Sequence, residues 1–293
     1  MPARVTVIIA TYDWSSVLPY SIGSVLGQTF RDFELLVVGD GCTDDSEQVV
    51  AAIDDPRVRW INLPKNTRHQ SGPNNEGLRQ AQGEIIAYLG HDDLWLPHHL
   101  EAHVRALDDA PADVAYSLCL LVAADGSYFP SLPRPSSGVF SPPSCTTHRR
   151  AVTDALGGWH AWGSAESRAN LSPDVELWRR AKTAGRPFTF VPRLTGIKFP
   201  AWWRRDVYRM RPNHEQAHWF ARIGAEPDLE AKLLTQLVTS ESVPNGVRYA
   251  DLLRHLAQQT LGRIRRRFEL PSFGRKPRHV ELDDIRRRKG LPT

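Results

Sequence analysis

Four largely apolar runs follow one another through the first third of the chain, with helix-like segments between them. They are residues 5–10, 33–38, 58–63 and 85–89. Strands that are apolar on both faces belong to sheets covered by helices on either side, and a repeated strand–helix alternation predicts parallel pairing. We therefore expect an α/β fold with a mostly parallel sheet and helices on both faces.

The fourth run ends in two adjacent carboxylates, Asp92 and Asp93. Because an unpaired buried carboxylate is costly, we expect the pair where the strand leaves the sheet, at the carboxyl edge where open α/β folds bind ligands. Adjacent carboxylates suit a hard divalent cation, which can in turn hold a phosphate. A plain alternative is that they cap the helix that begins near Pro97. From these residues alone the two interpretations are equally good.

Polar residues also follow the first two runs. Thr11 and Tyr12 can hydrogen-bond and stack on a nucleotide base, although both are also common strand residues. Asp40 stands between Gly39 and Gly41, where glycine lets the backbone turn tightly near a ligand; a simple glycine-rich turn would look the same. No G-x-G-x-x-G follows, so the sequence disfavours a hydride-transfer enzyme.

The order of these segments resembles glycosyltransferase family 2, the inverting nucleotide-sugar transferases of GT-A fold, whose sheet is Rossmann-like. The matching segments are Val-x-Val-Ile-Ile-x-Thr-Tyr from residue 5, Gly-Gln-Thr-Phe from 27 with Phe-Glu-Leu from 33, Asp-Gly-Cys-Thr-Asp from 40, Gly-Glu-Ile-Ile from 83, and Asp92-Asp93. The resemblance is close over residues 4–108 and weakens toward residue 200. It implies a metal-dependent inverting transfer of a sugar from a nucleoside-diphosphate sugar to a hydroxyl acceptor.

The resemblance also implies roles for individual residues. Thr11 and Tyr12 match residues that meet the base and ribose, and Asp40 matches the acid that hydrogen-bonds the base, which makes a UDP-sugar the expected donor. Asp92 matches the carboxylate that contacts the ribose. Asp93 matches the ligand of Mn²⁺ or Mg²⁺, which would stabilise the departing diphosphate.

The chain departs from the family pattern at three places. Most relatives have Asp at the position of Gly39 and Ser at that of Cys42, so base selectivity can differ. An Ala-Arg-Asn triplet that is common in the family is missing, and we expect Arg68 to supply the phosphate contact instead.

An inverting transferase needs a general base beside the acceptor hydroxyl. Asp174, in Ser-Pro-Asp-Val-Glu-Leu-Trp-Arg from residue 172, matches the family's base at the start of a helix. The alternative is an acid that merely favours the first helical turn. Glu176 and Glu166 are the reserve candidates.

Other residues of the second half are candidates for contact with substrates. His148 and Trp159, with Glu176, are expected on the acceptor side, and Trp162 could stack on a sugar. Lys198 and Arg204-Arg205 could close over the diphosphate. His91, His98, His99 and His103 invite a zinc interpretation, but without H-E-x-x-H we expect surface histidines.

The sequence predicts a GT-A domain over residues 1–204, with a nucleotide-sugar half at 1–108 and an acceptor half at 109–204. A basic helical C-terminal region follows at 205–293. Residues 251–293 carry 12 Lys/Arg and 5 Asp/Glu, a net charge of +7. The amphipathic stretch 249–268 can pack on the domain or on a second subunit, which we favour, or lie on an anionic membrane. Nucleic-acid binding has no motif to support it.

The composition of the chain bears on its cellular location. No run approaches the roughly 18 apolar residues of a membrane span, no signal peptide is predicted, and the three cysteines lack the spacing of a disulfide framework or zinc knuckle. We expect a cytoplasmic protein, associated at most with the inner face of a membrane. The expected acceptor is the hydroxyl of a glycan, a lipid carrier, a peptide or a natural product.

Two other functions compete with this prediction. A nucleotidyltransferase also uses a metal and a nucleotide, but it usually has a glycine-rich, lysine-bearing N-terminal loop that is absent here. A catalytically degenerate scaffold that only binds sugar nucleotides is the second. Retention of Asp40, Asp92, Asp93 and Asp174 together argues against it.

Overall fold

The computed structural model describes residues 2–131, 133, 141–161, 164, 171–239 and 282–291. The chain divides into two compact units, Met1–Glu230 with Leu282–Thr293, and Ala231–Glu281. Of the second unit only residues 231–239 are described. The predicted boundary at residue 204, between a catalytic domain and a basic region, stays a prediction.

Strands and helices alternate through the first half, as predicted. The strands are β1 (Val5–Thr11), β2 (Phe33–Gly39), β3 (Val58–Asn62) and β4 (Ile85–Gly90), and the helices are α1 (Leu18–Leu26), α2 (Ser46–Ala51) and α3 (Ser71–Gln80). The strands pair in the order β3-β2-β1-β4, and every one of these pairings is parallel. Parallel neighbours need a crossover connection, which each helical segment provides.

The second half continues the same sheet with mixed pairing. Its elements are β5 (Leu94–Trp95), α4 (His99–Asp109), β6 (Val114–Val122), β7 (Tyr128–Ser131), β8 (Thr146–Arg149), α5 (Arg150–Leu156), α6 (Pro173–Thr183) and β9 (Phe188–Lys198). The order continues β4-β8-β6-β9-β5, with β7 on β6, and only β6–β9 is parallel here. The α/β fold is confirmed, with uninterrupted parallel pairing over β1–β4 and mixed pairing beyond, because the second half lacks the regular strand–helix repeat that imposes parallel pairing.

Helices cover both faces of the sheet, as predicted. Alternate residues of a strand point to opposite faces. Val5 and Val7 of β1 join a buried cluster with residues of α1, α2 and α4, whereas Ile8 joins a cluster with residues of α5 and α6. Two separate apolar cores therefore hold the central strands, which fixes where their polar ends emerge.

The described residues after position 204 form helices and no strands, as expected. They are α7 (Val207–Met210), α8 (His214–Ala225), α9 (Leu229–Thr239) and α10 (Leu282–Lys289). The predicted amphipathic stretch 249–268 lies outside the described residues. None of the helices described here is long and apolar enough to cross a membrane.

The histidines at the start of α4 are not on the surface, so that prediction was wrong. His99 and His103 are fully buried. The His99 ring stacks on Trp95 at 4.0 Å between centroids and on His103 at 4.2 Å, and its Nδ1 lies 2.8 Å from Thr195 Oγ1. Burial lowers the pKa of both imidazoles, so they pack as neutral aromatic rings.

Candidate active site

The polar ends of β1, β2 and β4 meet at one edge of the sheet. The three strands are adjacent and parallel, and the register pairs Thr11 with Gly39 and Ala10 with Gly90. Residues that follow these positions in the chain therefore leave the sheet side by side. The structure thus brings together the sequence-predicted residues Thr11, Tyr12, Asp40, Asp92 and Asp93.

Asp40 is a buried carboxylate with one oxygen already occupied. Its Oδ1 accepts hydrogen bonds from the Thr67 amide at 2.8 Å and from Thr67 Oγ1 at 2.7 Å. Its Oδ2 accepts none from a described side chain. Burial raises the pKa of Asp40, and the amides of Thr67 and Arg68 offset part of that rise. Oδ2 is therefore a fixed acceptor suited to an N–H group of a ligand.

Tyr12 and Arg68 flank Asp40. Tyr12 is half-buried, and burial together with the charge of Asp13 raises its pKa. Arg68 has a left-handed backbone with φ of +72°, its amide donates to Asn66 Oδ1 at 2.6 Å, and its side chain is exposed. Arg68 thus shapes the turn beside Asp40, and its phosphate contact stays a prediction.

Thr11 is held inside the site by a buried polar chain. Its Oγ1 lies 2.8 Å from His91 Nδ1, and His91 Nε2 lies 3.2 Å from the Tyr208 hydroxyl. Burial lowers the pKa of His91 to about 4, so the imidazole is neutral. This series of three side chains links the ends of β1 and β4 to α7. Tyr208 carried no signal in the sequence.

Asp93 is fully buried and lies in an ion pair. Its Oδ2 accepts from Lys198 Nζ at 2.8 Å and from Ser144 Oγ, and its Oδ1 accepts from the Phe199 amide at 3.1 Å. Burial alone would lower the pKa of Lys198, but Asp93 and Asp92 outweigh it and raise the pKa above its ordinary value. Lys198, the residue expected over the diphosphate, is thus the cation on Asp93.

Asp92 is nearly as buried but its carboxylate is open. Its backbone carbonyl accepts from Gln216 Nε2 at 3.1 Å, whereas its carboxylate accepts no hydrogen bond from a described side chain. Burial and the charge of Asp93 raise the pKa of Asp92 to about 7, with Lys198 and Lys289 partly offsetting the rise.

The donor set at this edge fits a hard divalent cation through Asp92, whose oxygens are free to bind one. Asp93 fits less directly, because Lys198 already neutralises its Oδ2. A cation that binds both carboxylates must therefore compete with the Lys198 ammonium. The predicted role of Asp93 as a metal ligand stays a prediction.

The family model of Glycosyl transferase family 2 matches residues 6–155 of the chain. The chain belongs to glycosyltransferase family 2. A relative from Escherichia coli, the UDP-Glc:alpha-D-GlcNAc-diphosphoundecaprenol beta-1,3-glucosyltransferase WfgD, is 32% identical over 103 residues, which are 35% of this chain and 40% of that protein. In two other curated relatives the matched region is 32% and 35% of that protein's length, so the chain spans about a third of the length of each.

Solved structures share the fold. Staphylococcus aureus TarS 1–349 in complex with UDP-GlcNAc has a TM-score of 0.55 at 20% identity, over 67% of this chain and 58% of that one. The mannosyltransferase PcManGT from Pyrobaculum calidifontis, in complex with GDP-Man and Mn²⁺, has a TM-score of 0.53 at 16% identity, over 89% and 81%. At these identities the likeness establishes the GT-A fold of this family-2 chain.

A second group of possible metal ligands lies beside the end of β1, where Cys42 Sγ contacts the Thr11 carbonyl and the Asp13 amide. Single ligand atoms of Asp13, Cys42 and Asp44 all lie within 4.8 Å of one another. Burial raises the pKa of the Cys42 thiol to about 11, and Asp13 Oδ1 accepts from the Thr43 amide at 2.7 Å. A protonated thiol is a poor ligand. The carboxylates here order the loop of this family-2 domain.

Asp174 lies in the first turn of α6 and is partly exposed. No hydrogen bond or ion pair joins its carboxylate to a described residue, and no described contact joins it to Asp40, Asp92 or Asp93. Its role as the base stays a prediction. The reserve candidate Glu166 lies outside the described residues.

Glu176, the other reserve candidate, is buried in an ion-pair network. Its Oε2 lies 3.0 Å from Arg180 Nη2 and its Oε1 lies 3.3 Å from His160 Nδ1. Arg180 also donates to the Gly158 carbonyl at 2.6 Å. Glu176 therefore fastens α6 to the segment after α5.

His148 and Trp159 are enclosed in the core rather than exposed. His148 Nε2 lies 3.1 Å from the Tyr88 hydroxyl and its Nδ1 donates to the Arg149 carbonyl at 2.8 Å, while Trp159 packs edge-on against Tyr88. Burial lowers the pKa of His148 to about 4. This burial argues against the acceptor-facing wall that we expected. Trp162 lies outside the described residues.

Proposed function

We propose that this chain is a glycosyltransferase that moves a sugar from a UDP-sugar to a hydroxyl acceptor with inversion at the anomeric carbon. The observation that carries the proposal is the buried Asp40, whose Oδ2 accepts no hydrogen bond from a described side chain, at the edge where Tyr12 and Asp92 also lie. The TarS complex with UDP-GlcNAc and the UDP-Glc donor in the name of the E. coli relative support this donor class.

In this proposal the uracil lies against Tyr12 and gives its N3–H to Asp40 Oδ2. Thr67 fixes the carboxylate by holding Oδ1, so the free oxygen is already aimed before the nucleotide arrives. A buried, preoriented acceptor discriminates between bases, because a base without an N–H there would leave the anion unpaired.

The donor diphosphate lies beside Asp92 and Asp93. We propose that Asp92 would hold Mn²⁺ or Mg²⁺, and that Asp93 would be a second ligand in competition with Lys198. The Mn²⁺ bound in the PcManGT complex supports a divalent cation. Such a cation supplies positive charge to the leaving diphosphate. Lys198 supplies further positive charge at the same place, since its ammonium stands 2.8 Å from Asp93 Oδ2.

Asp174 is the proposed general base. Its carboxylate takes the proton of the acceptor hydroxyl while the acceptor oxygen bonds to the anomeric carbon. The bond from that carbon to the diphosphate oxygen breaks, and UDP leaves with the electron pair. An acid with no described partner in the first turn of α6 is free to accept this proton.

The acceptor is the hydroxyl of a glycan, a lipid carrier, a peptide or a natural product. The name of the E. coli relative specifies a diphosphoundecaprenol acceptor, which supports the lipid-linked class. We further propose a cytoplasmic location, with contact to the inner membrane face or to a second subunit through the basic region 205–293.

Product analysis tests the function. The protein is incubated with UDP-Glc, UDP-GlcNAc, dTDP-Glc and GDP-Man in the presence of Mn²⁺, and released products are separated by ion-exchange chromatography. Slow hydrolysis of one donor to its nucleoside diphosphate, absent in Asp174→Asn, is expected. Release of the sugar 1-phosphate, which remains when the nucleoside monophosphate is transferred instead of the sugar, would indicate a nucleotidyltransferase and contradict the proposal.

A further inference from the structure

Two cations of the C-terminal helix α10 reach the same edge of the sheet as the strand-end carboxylates. We propose that Lys289 and Arg286 bind the diphosphate of the donor nucleotide, so that α10 forms part of the donor site. This inference rests on the proposed function and adds to it a ligand-binding element more than 190 residues away in sequence from Asp92.

Lys289 is a largely buried cation that makes no ion pair with a described residue. The helix end that carries Lys289 is bonded to the start of α7, whose Tyr208 hydroxyl lies 3.2 Å from His91 Nε2 at the end of β4, and the charge of Lys289 acts on Asp92 and His91. No described carboxylate lies within the 4.0 Å of an ion pair with it. Burial lowers the pKa of Lys289. A buried ammonium with no anion within ion-pair distance is costly, and an anionic ligand would supply the missing charge.

Arg286 reaches the base side of the same edge. Its side chain is buried, its Nη1 donates to the Arg68 carbonyl, and its charge acts on Tyr12 and His69. Arg286 and Lys289 thus extend from the neighbourhood of Asp40 to that of Asp92. A nucleotide that gives its base to Asp40 and its phosphates to the carboxylate side would pass along both side chains.

Helix geometry separates these two residues from their basic neighbours. Arg286 and Lys289 are three positions apart and share a face, while Arg287 and Arg288 between them are exposed. The helix dipole also favours basic residues in the last turn of any helix. The dipole would favour all four basic residues 286–289 alike. It does not account for why Arg286 and Lys289, on the face toward the site, are less exposed than Arg287 and Arg288.

The end of α10 is fixed to α7. The Asp206 amide donates to the Arg288 carbonyl at 3.0 Å, and Gly290 ends the helix with φ of +79°. A Cβ at position 290 would lie 3.2 Å from Asp206 Cα, so glycine permits this close approach. The two cations are therefore held in place before a ligand binds, which lowers the entropic cost of binding.

The test measures nucleotide binding by calorimetry for the full chain and for Lys289→Ala, Arg286→Ala and the double variant. Arg288→Ala is the matched control, because it removes an exposed charge from the same helix. Each protein is titrated with UDP and with uridine, and the pairs dTDP with thymidine and GDP with guanosine are used if the wild type prefers them. Thermal melting verifies that each variant is folded.

We expect each single substitution to weaken UDP binding by about 10-fold and the pair by about 100-fold, as for lost charge-assisted hydrogen bonds. Uridine binding should change less than about 2-fold, since uridine has no phosphates. Arg288→Ala should match the wild type, and Lys289→Arg should recover most of the affinity. If Lys289→Ala destabilises the fold, Lys289→Gln serves in its place.

Unchanged UDP affinity in the folded double variant would overturn the inference. Tighter binding would overturn it as well, because it would mean that α10 blocks the site. Loss of uridine binding together with UDP binding would show a structural role instead. If the wild type binds none of the three nucleosides or their diphosphates, the proposed function fails first and this inference with it.

Discussion

Replacing Asp40 by asparagine should reverse the hydrogen-bond polarity at the base. Thr67 donates two hydrogen bonds to Oδ1, so the amide oxygen of the substituted side chain must take that position to accept them. The NH₂ group then occupies the place of Oδ2. The one atom that faces the base changes from an anionic acceptor to a donor, while the shape of the side chain is almost unchanged.

The energetic consequence follows from this reversal. A hydrogen bond to a charged group contributes about 1.5–3 kcal/mol, which corresponds to about 10- to 150-fold in affinity. UDP should lose at least this factor, because its N3–H would face the amide NH₂. CDP, whose N3 is an acceptor, should gain affinity in the same variant. The two nucleotides should therefore reverse their order.

Calorimetry with UDP and CDP on the wild type and on Asp40→Asn tests this reasoning. Asp45→Asn is the matched control, because Asp45 is an exposed carboxylate of the same loop. It should leave both affinities within about 2-fold, as expected for an exposed charge. Equal loss of UDP and CDP binding in Asp40→Asn would refute the account, since it would mean that Asp40 supports the loop and does not read the base.

Other substitutions and conditions have defined outcomes. Asp174→Asn should abolish transfer with donor affinity unchanged, and loss of both in paired activity and binding assays would make Asp174 structural. Gly90→Ala would place a Cβ 2.7 Å from Asp93 Oδ2. We expect this substitution to lower the free energy of unfolding, measured with urea, by about 1–3 kcal/mol. At Gly224 in α8 a Cβ would meet nothing within 4 Å, so Gly224→Ala should not lower the free energy of unfolding. Equal stability of the Gly90→Ala and Gly224→Ala variants would contradict the packing argument. Acid should destabilise the protein. His91 and His148 have pKa values near 4 when folded against 6.5 unfolded, so the unfolded chain binds more protons between these values. Each histidine then lowers the free energy of unfolding by up to about 1.4 kcal/mol for each pH unit below pH 6.5. Asp92 has a raised pKa when folded, so its protonation stabilises the folded state as the pH falls. His99 and His103 of α4 have lowered pKa values and add to the loss of stability. A melting temperature at pH 5 equal to that at pH 7.5 would count against this assignment.

The sequence predicted the strand-end residues well because a strand end is a local signal. An apolar run followed by a polar residue marks where the chain leaves the sheet, and parallel neighbours bring such points together. Asp40 and Asp92 were found in this way. The sequence did not reveal the bonds of Thr67 to Asp40 or the pairing of Lys198 with Asp93, because these tertiary contacts leave no pattern near the carboxylates.

The errors concern residues whose burial depends on neighbours distant in sequence. His99 and His103 have the spacing of an exposed helix face, yet a stack on Trp95 and a contact with Thr195 bury them. His148 was expected at a surface, but Tyr88 of the adjacent β4 encloses it. Polar aromatic rings are suited to either setting, so their placement follows from packing rather than from periodicity.

Calorimetric titration of the purified chain with UDP-, dTDP- and GDP-sugars, with and without Mn²⁺, tests the central claim most directly. The account predicts that one nucleotide sugar binds, that UDP-sugars are preferred, and that Mn²⁺ strengthens the binding. Failure of a folded protein to bind any of these donors, with or without the cation, would contradict the assignment of the strand-end edge as a nucleotide-sugar site.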